Sequence, residues 1–252
     1  MQTDISIPMP DGPGTEAGAR AFVFTPDAGP GPWPAAILYM DAPAIRPAMF
    51  EMGERLAQAG YYVLLPDVFW RAGAYPPFDF MKAMTGDPEA GAIFARLRAS
   101  TGAVRQMADT GVWLDWIAQQ PQAKAGKVGV TGYCMGGGIA MRAAGTYPDR
   151  IAAAASFHGG NLATDAADSP HLLADRITAK VLVAGADEDR HFDEAQCERL
   201  AAAYEAAGLD SEVSIWKGAK HGWVPTDMPV YNRDAAERHW AELLALFDGV
   251  LK

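Results

Sequence analysis

What most restricts this chain is an alternation. Short apolar, β-rich runs recur along it: "ARAFVF" at 19–24, "AAILYM" at 35–40, "YYVLLP" at 61–66, "KVGVTG" at 127–132, "IAAAASF" at 151–157, "AKVLVAG" at 179–185 and "SEVSIW" at 211–216. Each reads as a buried strand. Between most of them lie residues with a helical period: Met49, Met52, Leu56 and Ala59; then Val112, Leu114, Trp116 and Ile117; then Ala236, Trp240, Leu243, Leu244 and Phe247. Strands alternating with helices predict an α/β fold, a mostly parallel doubly wound sheet flanked by helices. Residues 71–101 break the rhythm with prolines, aromatics and glycines, and read as a small cap or substrate-facing insertion. No repeat, low-complexity tract or linker divides the rest, so residues 1–252 are expected to form a single domain.

Composition narrows the classes of function. Half of the 252 residues are hydrophobic and about a fifth are charged, which supplies a sizeable core. The formal charge of -10 opposes a polyanionic partner, so no nucleic acid is expected. The start, "MQTDISIPMPDG", has no basic segment leading into an apolar one, and no run is apolar for the length of a membrane span. The expectation is a cytoplasmic protein without membrane contact. Cys134 and Cys197 can pair or stand as free thiols, and two cysteines do not make the disulfide framework of a small secreted domain.

In a parallel sheet the loops at the carboxyl ends of strands form the ligand crevice. Cys134 lies there, in Gly132-Tyr133-Cys134-Met135-Gly136, the G-x-nucleophile-x-G spacing of a strand-to-helix elbow with cysteine as the nucleophile. Glycines suit such a turn because the nucleophile's backbone is strained and its flanks pass close to strand and helix. The following helix would point its amino terminus at the sulfur and favour thiolate. The pattern alone also fits a buried cysteine in a close-packed turn. A further rival is the T-G-x-x-x-G-x-G dinucleotide loop, matched by "TGYCMGGG" at 131–138. That loop belongs after a first strand, whereas several strands precede it here, and no tyrosine stands four residues before a lysine. No cofactor or metal is therefore expected.

A nucleophile of this type needs a histidine base oriented by a carboxylate, in the chain order nucleophile, acid, base. Of the five histidines, His239 lies in the last helix, His171 in a loop after no strand, and His191 against an acidic cluster, while His158 ends the strand after the elbow, ahead of any acid, and reads as a structural neighbour of the site. His221 alone sits in a glycine-rich loop, "KGAKHGW", directly after the last expected strand. It is the candidate base. The acid should follow "VLVAG", where Asp189 is preferred and Asp187 is the alternative. Oxyanion donors would be the backbone amides of Met135, after the nucleophile, and Ala42, after the "AAILYM" strand. Asp41 beside it is either a turn residue or a direct participant.

Taken together, "YMDAPAIRP", "GYYVLLPDVFWR", "GKVGVTGYCMGGG", the acid loop and "KHGW" resemble the dienelactone hydrolase family of α/β-hydrolases over nearly the whole length. The resemblance implies a catalytic triad of Cys134, Asp189 and His221 and the hydrolysis of a small carboxylic ester or lactone through a thioester. The family's founding enzymes carry a glutamate where Asp41 stands, partnering the cysteine at rest, so Asp41 would be a resting-state or substrate contact. They also hold a substrate carboxylate with arginines, one shortly after the catalytic histidine. Here that stretch is His221-Gly222-Trp223-Val224-Pro225, which suggests a more apolar pocket. Arg46, Arg96 and Arg98 are the replacements to consider. The competing readings are a non-catalytic binding protein that keeps the elbow without a working triad, and a thiol redox sensor using Cys134 and Cys197.

Overall fold

The computed structural model describes residues 1–11 and 18–252. Its strands are β1 (Gln2–Ile7), β2 (Ala19–Phe24), β3 (Ala35–Tyr39), β4 (Tyr62–Pro66), β5 (Val128–Tyr133), β6 (Ile151–Phe157), β7 (Lys180–Ala186) and β8 (Ser211–Trp216). They form one sheet in the order β1-β2-β4-β3-β5-β6-β7-β8. The pairings β1–β2 and β2–β4 are antiparallel, and every pairing from β4 across to β8 is parallel. All the runs picked out by their apolar content are strands, each within one residue of the expected bounds.

β1 was not foreseen, for a physical reason. It is an edge strand paired only with β2, and most of its side chains face solvent, so "QTDISI" carries no continuous apolar run. β3 and β4, by contrast, are buried along their whole length.

The helices are α1 (Pro47–Gln58), α2 (Phe80–Met84), α3 (Pro88–Ser100), α4 (Ala103–Ala118), α5 (Met135–Thr146), α6 (Glu194–Ala206) and α7 (Arg233–Leu251). A Cβ on Gly129 would strike Phe247 and Leu251 of α7, whereas one on Gly132 would strike the backbone of α5. Residues three apart on a strand face opposite ways, so α5 and α7 cover opposite faces of the sheet. Tyr39, Trp113, Tyr133, Phe157 and Phe247 are among the large side chains fully buried between these layers.

The segment 71–101 is more regular than its prolines suggest. It contains α2 and α3, each started by an aspartate whose side chain accepts from a backbone amide: Asp79 from Lys82 and Asp87 from Ala90. Leu97 anchors α3 in the core. Among the described residues no helix is long and apolar enough to cross a membrane.

The chain leaves β3 toward β4 on one side and later returns to β5 on the other side of β3, so the strand order reverses between β3 and β5. Loops diverge at such a point and open a crevice. The elbow after β5 is pressed into it. A Cβ on Gly132 would lie 2.0 Å from Gly136 O, and one on Gly136 would lie 2.3 Å from Tyr39 O. These are backbone atoms that cannot swing aside. Gly132→Ala should therefore destabilise the protein by about 2 kcal/mol or more in urea denaturation, if it folds at all.

Candidate active site

Cys134 joins β5 to α5 with φ 54° and ψ -115°, a left-handed backbone that a residue with a side chain rarely adopts. Its amide donates to Phe157 O at 3.1 Å, and its carbonyl accepts from the Gly137 amide at 3.1 Å. The turn is thus held from β6 and from within α5. The residue is a free cysteine, half-buried rather than sealed in the core.

His221 follows β8 and reaches the sulfur across the carboxyl edge of the sheet, with Nε2 3.0 Å from Cys134 Sγ. On its other side Nδ1 lies 2.5 Å from Asp189 Oδ2, in the loop after β7. Asp189 is itself fixed, since its Oδ1 accepts from the His191 amide at 2.8 Å and only 6% of the residue is exposed. Asp187, the alternative acid, instead accepts from the Gly218 amide at 2.9 Å. The imidazole's carboxylate partner is therefore Asp189.

Burial opposes charge on His221, but its hydrogen bonds to Asp189 and Cys134 outweigh that and push its pKa up to about 10. At Asp189 burial pushes upward, and the histidine pair together with the His191 amide brings the carboxyl below its ordinary value. Both shifts favour an ionised relay.

The first amides of a helix have no partner inside it, and Met135 opens α5. Met135 and Ala42 donate to no carbonyl in the backbone network among the described residues. Close packing of Gly136 on Tyr39 and Met40 brings the start of α5 against the loop that carries Ala42. Asp41, buried in the same loop, gives both oxygens to Arg46, at 2.5 and 2.9 Å. Arg96 donates to Ala74 O, and Arg98 lies over the Phe94 ring. Cys197 is a free thiol on α6, as Cys134 is at the elbow. No group of His, Cys, Asp and Glu among the described residues could hold a metal ion.

A profile of the dienelactone hydrolase family matches residues 19–251. The chain belongs to that family. Among its relatives, a "Putative carboxymethylenebutenolidase" of Synechocystis is 25% identical over 225 residues, covering 88% of each chain. A protein of the same description from Escherichia coli K12 is 25% identical over 233 residues, covering 90% of this chain and 81% of its own. A crystal structure described as a "Putative Dienelactone Hydrolase" from Klebsiella pneumoniae superposes with a TM-score of 0.83 at 23% identity, covering 98% of both chains. The fold is thus that of dienelactone hydrolases.

Two histidines set aside in the sequence support the site from behind. His239 of α7 is fully buried, with Nδ1 3.2 Å from Ala236 O and Nε2 2.8 Å from the hydroxyl of Tyr133, the residue before the elbow cysteine. Burial pushes its pKa down to about 3, so the ring is neutral: Nδ1–H donates to the carbonyl and Nε2 accepts from Tyr133. His158 directly follows β6 with φ 41°, and its ring centroid lies 5.3 Å from that of His221 and 5.0 Å from that of Trp223. Burial, and then the charge of His221, hold its pKa well below the ordinary value. The place of His158 at the end of the strand after the elbow marks it in the sequence as a structural neighbour of the site, whereas the pairing of His239 with Tyr133 had no signal beyond the presence of a histidine. His191 contributes its amide to Asp189, while the His171 ring pairs with Ser169 Oγ at 2.9 Å.

The raised pKa of His221 fixes the sign of a stability effect. A base bound more tightly to its proton in the folded state stabilises fully below its unfolded value of about 6.5, and the gain is lost as pH rises toward about 10. The depressed Asp189 works the other way and loses its contribution as pH falls below about 4. Urea denaturation of wild type and His221→Gln should show the wild-type protein gaining on the variant from pH 10 down to pH 6.5. A difference that does not change over that range would contradict the ionised relay.

Proposed function

We propose that the chain is a single-domain hydrolase of small carboxylic esters or lactones, acting through a Cys134-His221-Asp189 triad and a thioester intermediate. The hydrogen-bonded line from Asp189 through His221 to Cys134, with distances of 2.5 and 3.0 Å, supports this reading most directly. The bond cleaved, a lactone or ester linkage, is of the kind named for its Synechocystis and Escherichia coli relatives, each described as a "Putative carboxymethylenebutenolidase".

Each step follows from the placement of these groups. Cys134 Sγ forms a bond to the acyl carbon while its proton is held on His221 Nε2, and the carbonyl electron pair moves onto oxygen. The Met135 and Ala42 amides receive that oxyanion, a contribution often among the largest in acyl transfer. Collapse expels the alkoxide, which takes the proton from His221, and leaves a thioester. Water then attacks the thioester with His221 as base, the carbon–sulfur bond breaks, and the sulfur returns with its proton shared with the imidazole. Asp189 keeps Nδ1 protonated and Nε2 aimed at the sulfur throughout. Neither a metal nor an organic cofactor enters any step.

A binding protein with a defunct triad would not need sulfur, imidazole and carboxylate in one line, and a redox pair would join Cys197 to Cys134, whereas both are free thiols. The decisive measurement is turnover of an activated aryl ester with mass spectrometry of the enzyme. Cys134→Ala should lower kcat/KM at least about a thousandfold with an unchanged circular dichroism spectrum. Asp189→Asn should cost roughly a thousandfold through the wrong imidazole tautomer. The wild-type enzyme mixed with excess ester should carry one acyl group on Cys134. Undiminished turnover by Cys134→Ala would reject the mechanism.

A further inference from the structure

Arg46 stands at the end of the loop that carries Asp41 and Ala42, and its side chain is only 14% exposed. A guanidinium has five N–H donors. Here each is used: Nε on Asp227 Oδ2 at 2.6 Å, Nη1 on Asp41 Oδ1 at 2.5 Å and on Ala44 O at 3.2 Å, and Nη2 on Asp41 Oδ2 at 2.9 Å and on Asp227 Oδ1 at 3.1 Å. Two carboxylates thus grip it in bidentate fashion, Asp41 from its own loop and Asp227 from the loop six residues beyond His221. Thr226 donates to Glu51 Oε2 at 2.8 Å and ties that second loop to α1 as well. Burial works against the charge of Arg46, but the two carboxylates more than offset it and raise its pKa. Burial also pushes the Asp41 carboxyl upward, yet the guanidinium stays charged whatever its partner does.

Trp223 and Val224, directly after the His221-Gly222 pair, are buried, and Trp223 packs on His158 beside the catalytic imidazole. Arg46 is the cation nearest in sequence to either oxyanion donor, and it has no donor left for a substrate anion. Asp227, with 43% of its side chain exposed, presents a carboxylate on the same loop as His221.

We propose that the active site selects uncharged esters or lactones and rejects carboxylate-bearing ones, because Asp227 takes up the remaining donors of Arg46 and holds its own carboxylate on the loop of His221. The proposal rests on the ester-hydrolase reading above and specifies its substrate class. An entering carboxylate would have to displace Asp227 from Arg46, or sit beside Asp227 unpaired, and like charges brought together in a partly dry site repel.

The test compares para-nitrophenyl hexanoate with mono-para-nitrophenyl adipate, which has the same leaving group and acyl length and a terminal carboxylate in place of a methyl. Wild type should favour the neutral ester by about tenfold or more in kcat/KM. Asp227→Asn releases two guanidinium donors and should shift that ratio toward the adipate ester by about tenfold. Asp210→Asn makes the same charge change at the other end of β8, where Asp210 precedes Ser211, and should leave the ratio where it was. Equal wild-type turnover of both esters, or a ratio indifferent to Asp227→Asn, would overturn the proposal. Failure to hydrolyse either ester would count against the hydrolase reading instead. Calorimetric titration with adipate then still decides the selectivity: binding to Asp227→Asn but not to wild type supports it, and equal affinity for the two refutes it.

Discussion

At Cys134 the backbone is held in a conformation that its side chain disfavours, and the surroundings leave it no alternative. Gly132 and Gly136 let α5 press against the ends of β5 and β3 at backbone contact distance. Phe157 O and the Gly137 amide fasten the turn from two directions. The cost of a left-handed residue is of order 1–3 kcal/mol and is covered by this packing. What it yields is direction: the sulfur leaves the sheet at its carboxyl edge with the first amides of α5 beside it. The rest of the site is arranged around that fixed atom.

The electrostatics continue the same logic inward. His221 bridges a carboxylate and a sulfur, and both raise its affinity for a proton. Beneath it the rings of His158 and His239 are deeply buried and held neutral. A second imidazolium next to His221 would lower that affinity again, so the neutral rings leave it undiminished. His239 acts further down by accepting from Tyr133, which locks the last residue of β5 before the turn. Helix α7 therefore contributes to the position of Cys134 through the residue before it.

The Arg46 cluster joins the loop after β3, which carries Asp41 and Ala42, to the loop after β8, which carries His221. A bidentate clamp at both ends is stiffer than a single ion pair and fixes orientation as well as distance. It holds the two loops in one frame and uses every donor of the guanidinium.

The order of strands and helices, the elbow and the loops that follow β3, β7 and β8 were readable from the amino acids alone. Each is written locally, in apolar periods of two or 3.6 and in glycines spaced around one turn, and local patterns survive without knowledge of the fold. β1 escaped because an edge strand lacks a continuous apolar run, and α2 and α3 because aspartate caps start them where prolines and glycines suggested irregular chain. Tertiary structure alone decided that Asp189 rather than Asp187 meets the imidazole, that Tyr133 pairs with His239 106 residues away, and that Arg46 is saturated by Asp227 181 residues away. Such pairings depend on where the sheet brings its carboxyl ends and on which side chain points inward there. A hydrogen bond acts over about 3 Å, and only the folded chain sets separations on that scale.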